Sequence, residues 1–529
     1  MEEGNLTMES RFFSALLLFC LFTCLMFLAL NHGNVEASSN ATLTVPDQYA
    51  TIQQAINAAN PGDTIYIKNG TYHEHVSVNK TLQLIGENNE ASIIDGGSLG
   101  TVMTVNAGGM FGSADNTTIA NLTVTNSGNG TLDCGLMLNT ADNCNITNVH
   151  AVANNGLGIW LSNSGHNTIE DTPVQNNGLT GILVTAGSEN NIFNNTVSNN
   201  TYGIVVTSNS SGNFVVSNNV AESAWFGIDI VNSSKNSVRL NYIEESQRAG
   251  IMIEQSSDNL VYSNNVTDNN VGIWLNFSSS NTVRNNDVQD NSLTGAWFAN
   301  SSINSFLEND VAHNNGYGFW INFSNNNSIF HNNIISNLQD VYINTSINAW
   351  DGGSPYSDGG NYWSNYTGSD QNADGIGDSP HVLDAKNVDH YPLIGQFLSF
   401  DLARGTLELI TNSNIEDLNY LEANSTIEMH VSNATTDQTQ GFARFTIPYT
   451  LINAPEISVI VDDGATPLIF YNTTYQNETF RWIYVEFPLT THKIDLIPEF
   501  PSFLTLTSVM TGTLITLTLH RTRRKQGKD

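Results

Sequence analysis

Two consecutive stretches of 23 residues decide the fold: GIWLNFSSSNTVRNNDVQDNSLT at positions 272–294 and GAWFANSSINSFLENDVAHNNGY at positions 295–317. Each begins with glycine, and apolar residues follow at the first, third, eleventh and sixteenth positions after it. Alternation of apolar and outward positions is typical of a strand with one buried face. Each stretch therefore predicts three short strands separated by polar turns.

The same pattern occurs nine times along the chain. The glycines that open the repeats are spaced by 22 to 24 residues: Gly135, Gly158, Gly181, Gly203, Gly227, Gly250, Gly272, Gly295 and Gly318. Repeats of this size without helical periodicity predict the coils of a parallel β-helix, whereas leucine-rich repeats would show a leucine framework and a helical segment. We predict an all-β fold, a single-stranded parallel β-helix with coils of about 23 residues.

Asparagine is concentrated in these coils. The chain of 529 residues has 74 asparagines, and 52 of them lie between positions 101 and 350. The ninth position after the glycine is asparagine in seven of the nine repeats: Asn167, Asn190, Asn236, Asn259, Asn281, Asn304 and Asn327. Stacked at the strand spacing, these amides are expected to hydrogen-bond along a column and to accept left-handed turn geometry.

The charge of the chain limits its partners. Seventeen Lys and Arg residues stand against fifty Asp and Glu residues, which gives a net charge of −33. Nucleic acid is not predicted as a partner, because the phosphates of a duplex require a basic surface. Disorder is not predicted either, because 40% of the residues are hydrophobic.

The two ends of the chain predict export. An apolar run at positions 12–30 precedes Val35-Glu36-Ala37, so residues 1–37 are interpreted as a signal peptide or an N-terminal anchor. Residues 498–529 contain an apolar run at 503–519 and then a basic cluster, which predicts a C-terminal membrane anchor or sorting signal. The Pro-Glu-Phe tripeptide at 498–500 before that run is similar to the tails of archaeal surface proteins; a buried C-terminal strand is the alternative.

Export would affect two further features of the chain, its glycosylation and its cysteines. About two dozen Asn-x-Ser/Thr sequons make N-glycosylation an expectation. Cys134 and Cys144 are the cysteines outside the N-terminal apolar run, and the sequence leaves open whether they form a disulfide or remain buried thiols.

A cap and a closing segment bound the repeats. Apolar residues at Ile52, Ala55, Ile56 and Ala59 predict an amphipathic cap helix over about 48–59, which Pro61-Gly62 stops. Together with Asn69-Gly-Thr-Tyr72 and the segments at 360–366, 374–378 and 388–393, this arrangement resembles the pectin-lyase-like right-handed β-helices and, among them, the NosD-like proteins described as periplasmic copper-binding. The resemblance implies a right-handed β-helix over 38–396, with coils to about 345 and a NosD-like closing segment at 350–396.

The repeats stop before position 397. Alternating stretches joined by turns such as Asp462-Asp463-Gly464 predict a β-sandwich over 397–497. We interpret this sandwich as a spacer between the β-helix and the tail.

One loop has the ligand spacing of a calcium site. Its oxygen ligands would come from Asp370, Asn372, Asp374, the carbonyl of Ile376, and Asp378, with glycine at loop position six. The twelfth position is His381 instead of glutamate, and a plain Asx-rich turn is the alternative. Copper, which the family resemblance implies, is not predicted, because His150, His166, His313 and His331 occupy different coil positions.

The candidate binding residues are aromatic. The second residue after the glycine points outward, and it is tryptophan at Trp160, Trp274, Trp297 and Trp320, with Phe277 and Phe323 three positions further along two of the strands. A file of tryptophans on a surface with few charges predicts contact with sugar rings. The alternative is a face covered by a loop, the second domain or another subunit.

An enzyme is the rival hypothesis. Asp229 and Glu254 are outward acids on adjacent coils, and their separation suits the acid pair of an inverting glycoside hydrolase. The resemblance to pectinase-like enzymes does not extend to their catalytic signatures, which the solenoid lacks. We therefore predict an exported cell-surface protein that binds a glycan or serves as a structural module, with a polysaccharide lyase or hydrolase as the first alternative and copper handling as the second. The sequence predicts no oligomeric state.

Overall fold

The computed structural model describes residues 40–107, 113–354, 359–435, 438–488 and 490–499. The predicted signal or anchor at 1–37 and the predicted tail from residue 500 onward lie outside these residues. Within the described ranges, no helix has the length and apolar character needed to cross a membrane. The predicted fold class is confirmed: three parallel sheets form a solenoid, and a two-stranded antiparallel hairpin and two larger antiparallel sheets follow it.

The three solenoid sheets take one strand each from successive coils. Sheet 1 consists of Thr42–Val45, Thr64–Ile67, Gln83–Gly86, Thr118–Ala120, Asn145–Thr147, Thr168–Glu170, Asn191–Phe193, Phe214–Val216, Ser237–Arg239, Leu260–Tyr262, Thr282–Arg284, Ser305–Leu307 and Ser328–Phe330. Sheet 2 has the longest strands: Val76–Val78, Met103–Asn106, Cys134–Asn139, Leu157–Ser162, Thr180–Thr185, Tyr202–Thr207, Phe226–Val231, Ala249–Glu254, Val271–Asn276, Thr294–Ala299, Tyr317–Asn322 and Gln339–Asn344. Sheet 3 consists of Gly70–Tyr72, Ser92–Asp95, Thr123–Thr125, His150–Val152, Pro173–Gln175, Thr196–Ser198, Asn219–Ala221, Tyr242–Glu244, Asn265–Thr267, Asp287–Gln289, Asp310–Ala312, Asn333–Ile335 and Tyr362–Trp363.

Equivalent residues of neighbouring coils lie side by side. Ile159 pairs with Ile182 in sheet 2, and Val197 pairs with Val220 in sheet 3. These inward residues are fully buried and form one continuous core. The repeated glycine of sheet 2 is required by close packing, since a Cβ on Gly181 would lie 2.7 Å from the carbonyl oxygen of Gly203.

The predicted asparagine column is confirmed, and two more columns accompany it. Asn190 Nδ2 donates to Asn213 Oδ1 at 2.9 Å and to the carbonyl of Ser164 at 2.9 Å. A second column runs through Asn195, Asn218, Asn241, Asn264, Asn286, Asn309, Asn332 and Asn361. A third contains Asn154, Asn177 and Asn200 and, further along, Asn291, Asn314 and Asn337.

The left-handed backbone was expected at the ladder asparagines themselves, and this is wrong. It occurs one residue earlier, as at Glu189 with φ 55° and Asn194 with φ 54°. That preceding residue turns the corner of the coil, and its conformation aims the asparagine side chain into the interior. The ladder residues are accordingly buried.

Both ends of the solenoid are capped. The helix Ile52–Ala58 covers the first coils, and the Glu74 carboxylate accepts hydrogen bonds from the free amides of Ile52 and Gln53. At the other end of the solenoid lies an antiparallel hairpin, His381–Val382 with Val388–Asp389. It provides hydrogen-bond acceptors for the last asparagines of the columns. Asn348 donates its backbone N–H to Asn387 Oδ1, and Asn361 donates its own to Asp389 Oδ2.

The second domain is a sandwich of nine antiparallel strands. Its five-stranded sheet has the order Gln396–Leu402, Gly405–Thr411, Gln440–Pro448, Phe480–Pro488, Phe470–Gln476. Its four-stranded sheet has the order Ser413–Leu421, Thr426–Asn433, His492–Glu499, Glu456–Val461, and a 3-10 turn spans Asp462–Gly464.

The sandwich packs directly on the end of the solenoid. Asn333 exchanges two hydrogen bonds with the backbone of Phe397, at 2.8 and 2.9 Å. Ile376 and Leu393 share a buried cluster with Phe442 and Tyr484 of the sandwich. The two domains are therefore joined by a hydrophobic contact as well as by the chain.

The open question on the cysteines is answered by the fold. Cys134 and Cys144 are free and buried. Burial raises the pKa of both thiols to about 12, which makes them inert at neutral pH.

Candidate functional site on the outer face of sheet 2

The outward positions of sheet 2 form a nearly continuous apolar column. Its members pair with one another across the coils, and all but Tyr342, which follows Asp340, stand two residues after a repeat glycine: Met137, Trp160, Leu183, Val205, Asp229, Met252, Trp274, Trp297, Trp320 and Tyr342. We call this set the outer column. Asp229 is the only member of the outer column whose side chain would be charged at neutral pH with an unperturbed pKa.

Three tryptophans stack in the C-terminal half of the outer column. The ring centroids of Trp274 and Trp297 are 4.4 Å apart with an interplanar angle of 2°, and those of Trp297 and Trp320 are 5.0 Å apart at 19°. Phe226 contacts one end of the stack edge-on, and Tyr342 contacts the other. The indole faces therefore cover one another, and the stack presents ring edges to its surroundings.

The three stacked indoles have unpaired donors. The Nε1–H groups of Trp274, Trp297 and Trp320 are buried and have no acceptor among the described residues. Buried indole N–H groups usually find a partner.

Trp160 does not belong to the stack. It lies several coils away in a separate cluster with Cys134 and Leu157, and its Nε1 donates to Thr185 Oγ1 at 3.1 Å. The structure thus brings together three of the four tryptophans predicted for the binding face.

Phe277 and Phe323 flank the stack and are exposed. Their side chains are 59% and 54% accessible, although both are large hydrophobic residues. Each occupies a left-handed corner, with φ 49° and 50°, and Asn300 holds the equivalent corner between them. A left-handed conformation is uncommon for a bulky residue, and here it turns the ring outward.

An aromatic cluster beside Asp229 is absent from the sequence prediction. Tyr202, Trp225 and Phe226 contact one another at centroid distances of 5.5 to 6.4 Å. The guanidinium of Arg248 lies 4.1 Å from the centre of the Trp225 ring, in a cation–π contact. These residues precede the repeat glycines of their coils, and their aromatic character was the available signal.

Asp229 is buried within this face. Its side chain is 5% accessible, and its Oδ1 has no hydrogen-bond partner among the described residues. Burial, with a smaller contribution from Glu254, raises the pKa of Asp229 to about 8. Glu254 is one coil further and two positions along the strand, and it accepts a hydrogen bond from Asn276.

The carboxylates of the predicted calcium loop accept hydrogen bonds from the backbone of the same loop. Asp370 accepts from the backbone N–H groups of Asp374 and Gly375, and Asp374 accepts from that of Ile376. Asn372 donates to Asp374, and Asp378 accepts from the backbone of Gln371.

A buried arginine already serves this loop. Arg444 Nη1 donates to the carbonyl of Asp374 at 3.3 Å, and the attraction of Asp374 and Asp370 partly offsets the burial that lowers the pKa of Arg444 to about 10. The calcium site stays a prediction. Among the described residues, Asp370, Asp374 and Asp378 do not form a group that could hold a metal ion, and Arg444 already places a positive charge beside Asp374.

Copper has no donor set in the described part of the chain. No three or more His, Cys, Asp or Glu side chains among these residues are grouped in a way that could hold a metal ion. His331 stacks on Phe397 at 4.0 Å, and His150 contacts Asn89. We derive no chemistry through copper.

Comparison with known families places the fold. A family model described as a right handed beta helix region matches residues 34–221, and the family model of the periplasmic copper-binding protein NosD matches residues 196–368. With the three-sheet solenoid, these matches define a right-handed parallel β-helix protein. Over residues 196–368 the chain is similar to the NosD family.

The solved structures to which the chain is similar have low identity to it. The A-module of the Azotobacter vinelandii mannuronan C-5 epimerase AlgE4 is 15% identical, with 54% of this chain and 91% of that chain covered and a TM-score of 0.46. The catalytic domain of a GH87 alpha-1,3-glucanase in complex with nigerose is 12% identical, with coverages of 59% and 68% and a TM-score of 0.44. The Dettilon tailspike protein is 13% identical, with coverages of 86% and 93% and a TM-score of 0.40. The search of curated proteins returned no match.

Proposed function

We propose that the protein is an exported surface module that binds a polysaccharide along the outer face of sheet 2. The observation that carries the proposal is the pair of exposed phenylalanines, Phe277 and Phe323, beside the stacked tryptophans. Large hydrophobic side chains that are exposed close to one another can mark a contact surface.

The groups around this face suit an uncharged ligand. Phe277 and Phe323 are two coils apart, about 9.6 Å at a strand spacing of about 4.8 Å, so one extended chain could contact both rings. The amides of Asn276, Asn300 and Asn322 lie at the ends of the same strands and can donate to or accept from hydroxyl groups.

A glycan array with the full chain tests the proposal. Wild type is expected to bind at least one polysaccharide, and the double variant Phe277→Ala, Phe323→Ala is expected to lose that binding while keeping its melting temperature. Phe214→Ala removes a comparably exposed ring from sheet 1 and serves as the control. Binding that is absent in wild type, or equal in the double variant and the control, contradicts the proposal.

A polysaccharide-active enzyme is the second candidate, and the state of Asp229 favours it. A carboxyl with a pKa of about 8 is protonated at neutral pH and can give its proton to a glycosidic oxygen, while Glu254 accepts a proton from the attacking water. Release of reducing ends from neutral and uronate polysaccharides should then be lost in Asp229→Asn. It should persist in Asp287→Asn, which alters a half-buried acid in sheet 3.

Export and anchoring are part of the proposal. The family match to a periplasmic protein supports export, and the apolar run at 503–519 with its basic end supports anchoring. A chain truncated after residue 499 should appear in the medium, whereas the full chain should remain with the membrane fraction. Retention of the truncated chain on the membrane would refute anchoring by the tail.

A further inference from the structure

The sandwich contains an open groove between its two sheets. The groove has a volume of about 580 Å³ and lies between the edge strands Glu456–Val461 and Phe470–Gln476. Its size is that of a small-molecule site. The Tyr471 hydroxyl donates to the carbonyl of Ile457 at 2.8 Å and so ties the two edge strands together. A register shift between Thr473 and Tyr475 bends one of these strands.

A buried arginine points into this groove. In the strand Phe480–Pro488, Ile483, Val485 and Phe487 face the core between the sheets, and Arg481 occupies the same face at the end of that series. Arg481 is only 7% accessible and lines the groove. An apolar residue would be expected at this place in the alternation.

Arg481 has no anionic partner among the described residues. Its Nε is buried without a hydrogen-bond acceptor, and the guanidinium contacts the Tyr449 ring at 5.7 Å from the ring centre. The other buried arginine, Arg444, interacts instead with Asp374, Asp370 and Glu408. A buried charge is costly unless it is paired.

Burial distinguishes Arg481 from most other arginines of the chain. Among the described residues Arg239, Arg248 and Arg284 also form no salt bridge, but they are half-buried or exposed, whereas Arg481 is buried. A guanidinium that is buried, unpaired and open to a groove is a ready site for an anion.

The other polar groups of the groove come from Ser458, Thr473 and Gln476, with Glu456 exposed at the rim. The Ser458 hydroxyl donates to Glu499 Oε1 at 2.8 Å.

We propose that the sandwich groove binds a carboxylate carried on a hydroxylated, sugar-sized molecule, the chemistry of a uronic acid. The guanidinium takes the carboxylate through two parallel hydrogen bonds. The hydroxyl and amide groups take the sugar hydroxyls, and Tyr471 offers a ring face, being 40% accessible. This site is separate from the outer face of sheet 2, and its test does not depend on the function proposed for that face.

Calorimetric titration of the full chain with glucuronate, glucose, acetate and inorganic phosphate tests the assignment. Glucuronate is expected to bind more tightly than the other three, and Arg481→Met is expected to weaken it by about ten-fold or more, the loss of one charge-assisted pair. Arg404→Gln removes an exposed arginine of the same domain, which pairs with Glu422, and should leave binding unchanged.

The melting temperature provides a second readout, which shows whether Arg481→Met loses binding only because it is less stable. Because Arg481 is an unpaired buried charge, Arg481→Met should raise the melting temperature of the ligand-free protein, whereas glucuronate should stabilise wild type alone. Equal binding of glucose, acetate or phosphate overturns the proposal, as does unchanged glucuronate binding in Arg481→Met or the absence of any binding in wild type. A lower melting temperature in Arg481→Met would assign the arginine a structural role and would equally overturn it.

Discussion

Replacement of Asn218 by alanine tests whether the asparagine ladders stabilise the solenoid. The Asn218 side chain makes four hydrogen bonds within the interior. Its Nδ2 donates to the carbonyl of Ile192 at 2.9 Å and to Asn241 Oδ1 at 3.0 Å. Its Oδ1 accepts from the backbone and side-chain N–H groups of Asn195, both at 3.0 Å. Alanine would remove all four and would leave buried donors and acceptors without partners.

The magnitude follows from this count. A hydrogen bond contributes a net of about 1 kcal/mol to stability, so four of them amount to about 4 kcal/mol. This lies at the upper end of the range for a single substitution. Asn219 is the matched control, since it follows Asn218 directly but is exposed, and its replacement by alanine should change stability by about 0.5 kcal/mol or less.

Chemical denaturation of the full chain, followed by far-UV circular dichroism, measures both variants. The expected result is a clear shift of the midpoint for Asn218→Ala and almost none for Asn219→Ala. If the two variants are destabilised within about 1 kcal/mol of one another, the amide columns do not hold the coils together. The stability would then reside in the apolar core alone.

Two further predictions concern buried acids and the calcium loop. Burial is the main cause that raises the pKa of Asp229 to about 8 and that of Asp389 to about 7. Between about pH 4 and pH 8 the folded protein therefore holds protons that the unfolded chain has lost. The free energy of unfolding should fall as the pH rises through this window. Asp229→Asn should flatten the fall in a series of melting curves, and a profile as steep as that of wild type would contradict this. Addition of calcium should raise the melting temperature through the loop at Asp370 and Asp378, and Asp378→Asn should reduce the shift; an unchanged midpoint in wild type would show that this loop is an Asx-rich turn served by Arg444.

The repeat period of the sequence predicted most of the fold. The glycine spacing predicted the coils, and the amide column at the ninth position was visible in the sequence because each coil contributes one residue to each column. The columns through Asn218 and Asn177 follow the repeat glycine by about 14 and 19 positions, and the same comparison of coils would have found them. Local alternation also predicted that the second residue after the glycine points outward.

Exposure of those outward residues did not follow from the pattern. Trp274, Trp297 and Trp320 are half-buried because they stack on one another, an outcome that depends on rotamers and on neighbours across coils. The enclosure of Asp229 has the same origin, since it lies between Val205 and Met252 of adjacent coils. Arg481 was missed because only the tertiary structure shows that its strand face is the inner one and that it has no acid beside it.

Hydroxyl-radical footprinting of the full chain, with and without a polysaccharide that it binds, shows which surface the ligand covers. We expect the ligand to protect Phe277 and Phe323 from oxidation and to leave Phe214 on sheet 1 unchanged. Protection confined to other surfaces, or equal oxidation of Phe277 and Phe323 in both samples, would contradict the proposal.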